Sequence, residues 1–299
     1  MTLRLGTRGS ALAVAQSSTV ARAIEALGER VELVEIVTSG DRQRAVGDKG
    51  RFVKEIEQAL LYGEIDLAVH SAKDVPGELP DGLAIVGVPE RADARDALCG
   101  AASLDDLAQG ALVGTASLRR RSQLLAVRPD LDVRELRGNV DTRLRKLAEE
   151  DLDAIVLAAA GLERLGRTAD GTPLPQDMLT SAAGQGCLAL EARSADVATR
   201  ELASRLTDAA ALAELTAERA LVTGIGATCD TPVGAKATVS GERIVLSTFV
   251  GTVDGDTWIR DTVEGTTDDP TSVGATAAER LLAAGARELL SEGWVGPDR

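Results

Sequence analysis

Aromatic residues and cysteines are scarce in this chain of 299 residues, and their scarcity excludes several classes of protein. Phe, Trp and Tyr make up 2% of the sequence, so we do not expect a nucleic-acid reader that stacks bases on aromatic rings. The three cysteines, Cys99, Cys187 and Cys229, lie far apart and match neither a zinc spacing nor a disulfide framework. We therefore predict a reduced protein without a metal, in which one thiol can be reactive.

Positive charge and long apolar runs are also in short supply. Lys and Arg total 33 against 47 Asp and Glu, and the net charge of −14 argues against general affinity for DNA or anionic membranes. The N-terminal MTLRLGTRGS has no apolar signal core, and no segment is long and apolar enough to span a bilayer. We expect a cytoplasmic monomer that binds neither nucleic acid nor membrane.

Strand and helix patterns alternate over the first two thirds of the chain, which favours parallel βαβ units. The tail differs, because three strand patterns in succession indicate a meander that precedes a last helix over about residues 271–291. The patterns predict an α/β fold with a smaller C-terminal α+β domain. The predicted domains are 1–91 with 187–206, then 92–186, and finally 207–299.

Two strand-to-helix turns resemble each other and hint at two comparable α/β domains. They are GTRGS from Gly6 and GTAS from Gly114, and each lies between a strand and a helix. Ser10 and, further along, Asn139 are suited to cap the helices that follow them. The Gly- and Asp-rich stretch 38–52 has no periodicity and indicates a mobile loop. The two chain crossings expected near residues 90–94 and 181–186 are candidate hinges.

Basic residues cluster against the overall sign of the charge between residues 117 and 146. Nine basic residues face four acidic ones there, a local charge of +5 that indicates an anion site. Arginines in the first turn of a helix oppose the helix dipole, so a bound anion explains their position better than helix propensity does. Position favours an anion role for Arg8, Arg119, Arg120, Arg137 and Arg143. Pairing with the surplus acids on a solvated face is favoured for Arg121, Arg128, Arg134 and Arg145.

The segment IDLAVHSAKDVP places His70, Ser71, Lys73 and Asp74 at the end of a buried strand. Open α/β sheets bind ligands at the C-terminal ends of their strands, so Asp74 is either a catalytic carboxylate or a simple turn residue. Three residues on one short turn rarely form a catalytic triad, and His70 is better explained as a hydrogen-bonded structural histidine.

Seven segments together resemble the porphobilinogen deaminase family in order and spacing over about residues 3–235. They are LGTRGSALAVAQ, KGRFVKEIEQAL, DLAVHSAKDVP, VGTASLRRRSQL, RGNVDTRL, LAAAGL and GQGCLALE. The resemblance implies two periplasmic-binding-protein-like α/β domains flanking a cleft, plus a third domain with a cysteine on a loop. It also implies an enzyme that joins four porphobilinogen molecules head to tail, with release of ammonia, on a covalent dipyrromethane primer. The product is hydroxymethylbilane, a linear tetrapyrrole that leads to heme.

The resemblance assigns roles to individual residues. Asp74 is the catalytic carboxylate, and Cys229, in a Gly-rich loop, is the attachment point of dipyrromethane. The other cofactor-binding residues are Lys73, Thr115, Ser117, Arg119 and Arg120, with Asp74 again among them. The residues that bind the substrate and the growing chain are Arg8, Ser10, Gln16, Ser71, Arg137 and Arg143. Lys49 and Phe52 belong to the loop of residues 38–52, where Arg51 departs from the family pattern.

Two other functions compete with this transferase. A non-catalytic carboxylate-binding protein could use the same two-domain architecture, although the loop cysteine and the absence of an export signal count against it. Nucleic-acid binding through the arginine-rich helix would produce strongly salt-dependent DNA affinity, and the acidic total argues against it.

Overall fold

The computed structural model describes residues 2–37, 53–228 and 230–292. Its thirteen described strands are β1 Thr2–Thr7, β2 Arg30–Glu35, β3 Leu67–Ser71, β4 Leu83–Gly87, β5 Asp96–Cys99, β6 Leu112–Gly114, β7 Asp132–Arg134, β8 Ala154–Ala158, β9 Thr172–Pro173, β10 Leu188–Arg193, β11 Val233–Ser240, β12 Arg243–Gly251 and β13 Trp258–Thr266. The described α-helices are α1 Ala11–Ala26, α2 Lys54–Leu61, α3 Leu118–Val127, α4 Val140–Glu149, α5 Ala159–Arg164, α6 Val197–Ser204, α7 Ala209–Gly224, α8 Pro270–Ala283 and α9 Ala286–Glu292.

The chain forms two compact units. Unit 1 comprises Met1–Ala92 and Cys187–Leu212, and unit 2 comprises Asp93–Gly186 and Ala213–Arg299. The chain therefore passes from one unit to the other close to residues 92, 186 and 212. The division of the chain into three separate domains stays a prediction.

Unit 1 is built on one five-stranded sheet in the order β2-β1-β3-β10-β4. Strand β1 runs parallel to β2 and β3, whereas β10 runs antiparallel to β3 and β4. Helix α1 begins after Ser10 and buries Val20 and Ile24 against Leu5 and Leu190 of the sheet. The apolar face of α1 thereby fixes where the turn between β1 and α1 lies.

Unit 2 contains a five-stranded sheet and a three-stranded sheet. The first has the order β7-β6-β8-β5-β9, with β6 parallel to β7 and β8 and with β5 antiparallel to β8 and β9. The second is the antiparallel meander β11-β12-β13, whose core is shared with helices α7 and α8. These sheets confirm the predicted fold class of two α/β sheets and a smaller C-terminal α+β region.

The two five-stranded sheets share one strand order, which bears out the hint from the two similar turns. Ser10 caps α1 and Ser117 caps α3, each accepting a hydrogen bond from a backbone N–H, that of Ala13 at 3.3 Å and that of Arg120 at 3.4 Å. The fourth strand in the order, β10 in unit 1 and β5 in unit 2, runs antiparallel to both of its neighbours. Each of these strands begins just after the chain has entered its unit.

The predicted parallel units are present, and the prediction for the last helix was wrong in detail. Strand β1 is parallel to β2 and β3, and β6 is parallel to β7 and β8. Strands β10 and β5 add antiparallel pairings that make both sheets mixed. The last predicted helix is two helices, α8 and α9, since Gly285 between them has φ of 97°, which an α-helix cannot accommodate. None of the helices within the described ranges combines the length and apolar character that a membrane crossing requires.

Candidate active site

The turn after β3 carries the first group of predicted site residues. A short 3-10 helix, Ala72–Asp74, follows Ser71 directly and presents Lys73 and Asp74, both half-buried. The backbone N–H of Ala72 donates to the carbonyl of Cys187 at 3.1 Å, and the N–H of Val75 donates to the carbonyl of Ala72 at 3.2 Å. The backbone that carries Asp74 is therefore held to the residue preceding β10.

Helix α1 contributes the second contact of this group. Gln16 is buried on α1, and its Nε2 donates to Ser71 Oγ at 2.8 Å. Since β1 and β3 are parallel, the residues that follow them lie at one edge of the sheet. The predicted site residues of unit 1 that the structure describes all belong to segments at this edge, namely Arg8, Ser10, Gln16, Ser71, Lys73 and Asp74.

In unit 2 the predicted arginine pair is buried rather than open to solvent. Arg119 and Arg120 lie in the first turn of α3 and are 4% and 5% exposed. Both contact Asp96, the wholly buried first residue of β5. Arg119 binds its carboxylate with two nitrogens at 2.7 and 3.1 Å, and Arg120 Nε donates to Oδ1 at 2.9 Å.

Backbone carbonyls take further hydrogens of the same two guanidinium groups. Arg119 Nη1 donates to the carbonyl of Thr180 at 2.6 Å, and Arg120 Nη1 donates to the carbonyl of Val156 at 2.8 Å. Desolvation alone would raise the pKa of Asp96, but the charges of the two arginines and the hydrogen bonds from Arg119 and Gln185 lower it far below its usual range. The site therefore holds two guanidinium charges and one carboxylate charge.

The other predicted residues of unit 2 lie near the same ends of its parallel strands. Thr115 is buried, and its Oγ1 accepts from the N–H of Ser117 at 3.2 Å. Arg137 is exposed and pairs with Glu135 at 2.5 Å, whereas Arg143 is half-buried on α4. Asn139 caps α4 as expected, accepting from the N–H of Thr142 at 2.8 Å.

Most arginines expected to pair with surplus acids do so. Arg128 pairs with Asp130, Arg134 with Asp132 and Arg145 with Glu149. Arg121 differs, because its Nη1 donates to the backbone carbonyl of Val133. Pairing with an acid also occurs where an anion role was expected, at Arg119, Arg120 and Arg137.

His70 is the hydrogen-bonded structural histidine that its sequence context favoured. Its Nε2 lies 2.9 Å from Oε2 of Glu191 on the neighbouring strand β10, and both side chains are buried. Cys99 and Cys187 are buried thiols, and desolvation together with nearby Asp170 raises the pKa of Cys99 to about 11. Cys229, Lys49 and Phe52 lie outside the described residues.

Sequence reasoning missed the partners of the arginine pair. Asp96 had no assigned role, although an acid beside the apolar run Ala97–Cys99 is an unusual neighbour for a strand core. Gln185 had no assigned role of its own in the GQGCLALE segment. Its Nε2 donates to Asp96 Oδ1 at 2.9 Å and to the carbonyl of Ala94 at 2.7 Å.

The fold and these side chains suit an α/β protein that binds anionic ligands, because arginines and a half-buried carboxylate follow the parallel strands of its sheets. Comparison with known proteins gives the family. A porphobilinogen deaminase model described as the dipyrromethane cofactor binding domain matches residues 3–201, and the C-terminal domain model of the same family matches residues 212–283. The chain belongs to the porphobilinogen deaminase family, and it is a transferase.

Curated relatives named porphobilinogen deaminase match nearly the whole chain. That of Trichlorobacter lovleyi is 48% identical and covers 97% of this chain and 96% of its own. That of Roseiflexus castenholzii is 47% identical and covers 97% of this chain and 98% of its own. A solved periplasmic substrate-binding protein of an ABC transporter from Coxiella burnetii is 16% identical over 70% of this chain and 94% of its own, with a TM-score of 0.43.

The residues of unit 2 fit a dipyrromethane whose pyrroles carry acetate and propionate groups. Guanidinium forks suit carboxylates, and the two buried guanidinium groups share a single protein carboxylate. Within the described ranges, by contrast, His, Cys, Asp and Glu side chains form no group of three or more that could hold a metal ion. The two guanidinium groups are suited to carboxylates such as those of a dipyrromethane.

Proposed function

We propose that the chain condenses four porphobilinogen molecules head to tail, releasing ammonia at each step and finally hydroxymethylbilane, as a cytoplasmic monomer. The placement of Asp74 supports this most directly. It sits half-buried on a short helix at the end of β3, beside the contact between Gln16 and Ser71. A carboxylate so placed can act on a substrate bound at this strand edge.

Asp74 would serve the step in which ammonia leaves. Loss of ammonia leaves a positive charge spread over the substrate's methylene carbon and its pyrrole ring. A carboxylate fixed nearby stabilises this charge and accepts a hydrogen bond from the pyrrole N–H. Lys73, its neighbour in the chain, would hold a carboxylate of the cofactor.

The remaining predicted residues would bind carboxylates. Thr115, Ser117, Arg119 and Arg120 would hold the acetate and propionate groups of the cofactor. Arg8, Ser10, Gln16, Ser71, Arg137 and Arg143 would hold porphobilinogen or the growing chain. When attached through the Cys229 thiol, the dipyrromethane supplies the terminal pyrrole carbon to which the first substrate unit is joined.

Two measurements on purified protein test the proposal together. The denatured protein should show an added mass equal to two pyrrole units, and incubation of the native protein with porphobilinogen should produce a linear tetrapyrrole. The Cys229→Ser variant should lose both, whereas Cys187→Ser, which alters a buried thiol, should keep both. An unmodified mass in folded wild-type protein that yields no tetrapyrrole would support the non-catalytic carboxylate-binding function instead.

A further inference from the structure

The buried carboxylate of Asp96 has no role in the function described so far. It receives hydrogen bonds from three side chains, those of Arg119, Arg120 and Gln185. We propose that Asp96 is a positioning residue, which fixes the guanidinium groups of Arg119 and Arg120 in the one arrangement that receives the carboxylates of the pyrrole cofactor. This inference rests on the proposed function of the two arginines.

The geometry fixes both guanidinium planes. Asp96 holds Arg119 through two parallel contacts, an arrangement that sets orientation as well as distance. The same carboxylate accepts from Nε of Arg120. The carbonyl of Thr180 accepts a second hydrogen bond from Arg119 Nη1, and the carbonyl of Val156 accepts one from Arg120 Nη1. Neither guanidinium can rotate without losing contacts at a buried position, where a lost hydrogen bond is costly.

The charges of the three groups also favour a ligand. Two guanidinium groups and one carboxylate leave one positive charge, and all three side chains are more than nine-tenths buried. A buried charge without a counter-charge is unfavourable, so an anionic group that enters beside the pair is stabilised. Without Asp96 the two like charges would repel each other and separate, and the carboxylate-binding arrangement would be lost.

Gln185 holds Asp96 in turn. Its Nε2 donates both to Asp96 Oδ1 and to the carbonyl of Ala94, and it lies between Gly184 and Gly186, which have φ of 72° and 88°. The carboxylate is therefore attached to the two stretches of unit 2 at which the chain leaves unit 1 and returns to it. Gln185 therefore orients the carboxylate of Asp96, and Asp96 in turn orients the guanidinium groups of Arg119 and Arg120.

The test compares Asp96→Asn with wild-type protein and with Leu104→Ala. Leu104 is a buried core residue of unit 2 outside the Asp96 network, so its truncation lowers stability without changing the arginines. Each protein is incubated with porphobilinogen over a range of concentrations, the fraction carrying the covalent addition is read from the mass of denatured protein, and circular dichroism gives the folded fraction. We expect loading per folded molecule to fall at least about tenfold in Asp96→Asn and to stay at the wild-type level in Leu104→Ala.

Gln185→Met provides a second variant, which keeps all charges and the side-chain length. Gln185→Met should carry the covalent addition about two- to tenfold less often per folded molecule, because it removes one hydrogen-bond donor to the Asp96 carboxylate. If Asp96→Asn does not fold, the result for Gln185→Met decides whether the inference holds. A folded Asp96→Asn that loads as wild type does, or an unchanged Gln185→Met when Asp96→Asn is unfolded, would overturn the inference alone. A folded wild type that neither loads nor makes tetrapyrrole would refute the proposed function itself.

Discussion

The two five-stranded sheets have the same strand order, and each buries a carboxylate on its fourth strand. Glu191 lies on β10 of unit 1 and Asp96 on β5 of unit 2, and both are 0% exposed. Glu191 Oε2 lies 2.9 Å from a single imidazole, that of His70. Asp96 instead accepts hydrogen bonds from two guanidinium groups. The fourth strands of the two sheets therefore carry buried carboxylates at different register positions, Glu191 opposite Ala68 and Asp96 opposite Ala158, and in two different charge arrangements.

The charge arrangement distinguishes the contact between His70 and Glu191, which is structural, from the contacts of Asp96, which we propose serve binding. A guanidinium stays charged in proteins, so Asp96 and its two arginines keep one permanent positive charge that suits an anionic ligand. One carboxylate facing one imidazole leaves no such excess, and that pair joins β10 to β3 below the turn that carries Asp74. Under the proposed function, unit 1 would supply the carboxylate of Asp74 for the chemical step, and unit 2 would supply positive charge for the carboxylates of the cofactor.

Removal of the Asp74 carboxylate should have the largest effect. We expect Asp74→Ala to lower the rate of hydroxymethylbilane formation by about 10²–10⁴-fold, because no other group replaces a positioned carboxylate in that step. Substrate affinity and circular dichroism should change little, since Asp74 is only half-buried. The exposed Asp81→Ala is the matched control and should retain the wild-type rate; unchanged turnover in Asp74→Ala would refute the assignment.

The arginines of unit 2 should show a smaller effect that depends on burial. Arg119→Leu should fold, because Arg120 still neutralises Asp96, yet its cofactor-loaded fraction should fall about 10- to 100-fold as a charged donor is lost. Arg137→Leu should load normally and lower tetrapyrrole output per loaded molecule, since Arg137 is exposed. Arg134→Leu, which removes an arginine paired with Asp132 at the surface, is the control. Normal output from both Arg119→Leu and Arg137→Leu would contradict the carboxylate-binding role.

The smallest effect should come from Glu57, a buried residue of α2 in unit 1. Among the described residues its Oε1 has no hydrogen-bond partner, and desolvation and the charge of Glu191 raise its pKa above 4.5, with His70 partly opposing them. A carboxyl group with a raised pKa in the folded state stabilises the fold less as the pH rises through that pKa.

Glu57→Gln should therefore raise the thermal midpoint at about pH 8 and leave it almost unchanged at about pH 3.5, where the carboxyl is protonated in both states. The gain at the higher pH should be about 0.5–1 kcal/mol. Exposed Glu64→Gln serves as the control and should show no comparable pH-dependent gain. Equal stabilisation by Glu57→Gln at both pH values would contradict the charge explanation.

Local signals in the sequence were reliable where the interaction itself is local. The caps formed by Ser10, Ser117 and Asn139 each join a side chain to a backbone N–H three residues away, so the order of residues is enough to predict them. The meander of β11 to β13 and the turn after β3 were predicted for the same reason. The break at Gly285 was missed because a glycine near the end of a helical pattern can be tolerated or can end the helix.

The family and the residue types of the site were determined by the sequence alone, since motifs such as HSAKDVP and SLRRR stand in fixed order along the chain. Only the tertiary structure decided which arginines are buried and what they contact. Arg119 and Asp96 are 23 residues apart, Arg119 and Thr180 are 61 apart, and His70 and Glu191 are 121 apart. Contacts over such separations depend on strand order and on the path of the chain between the units, and neither is written in the spacing of neighbouring residues.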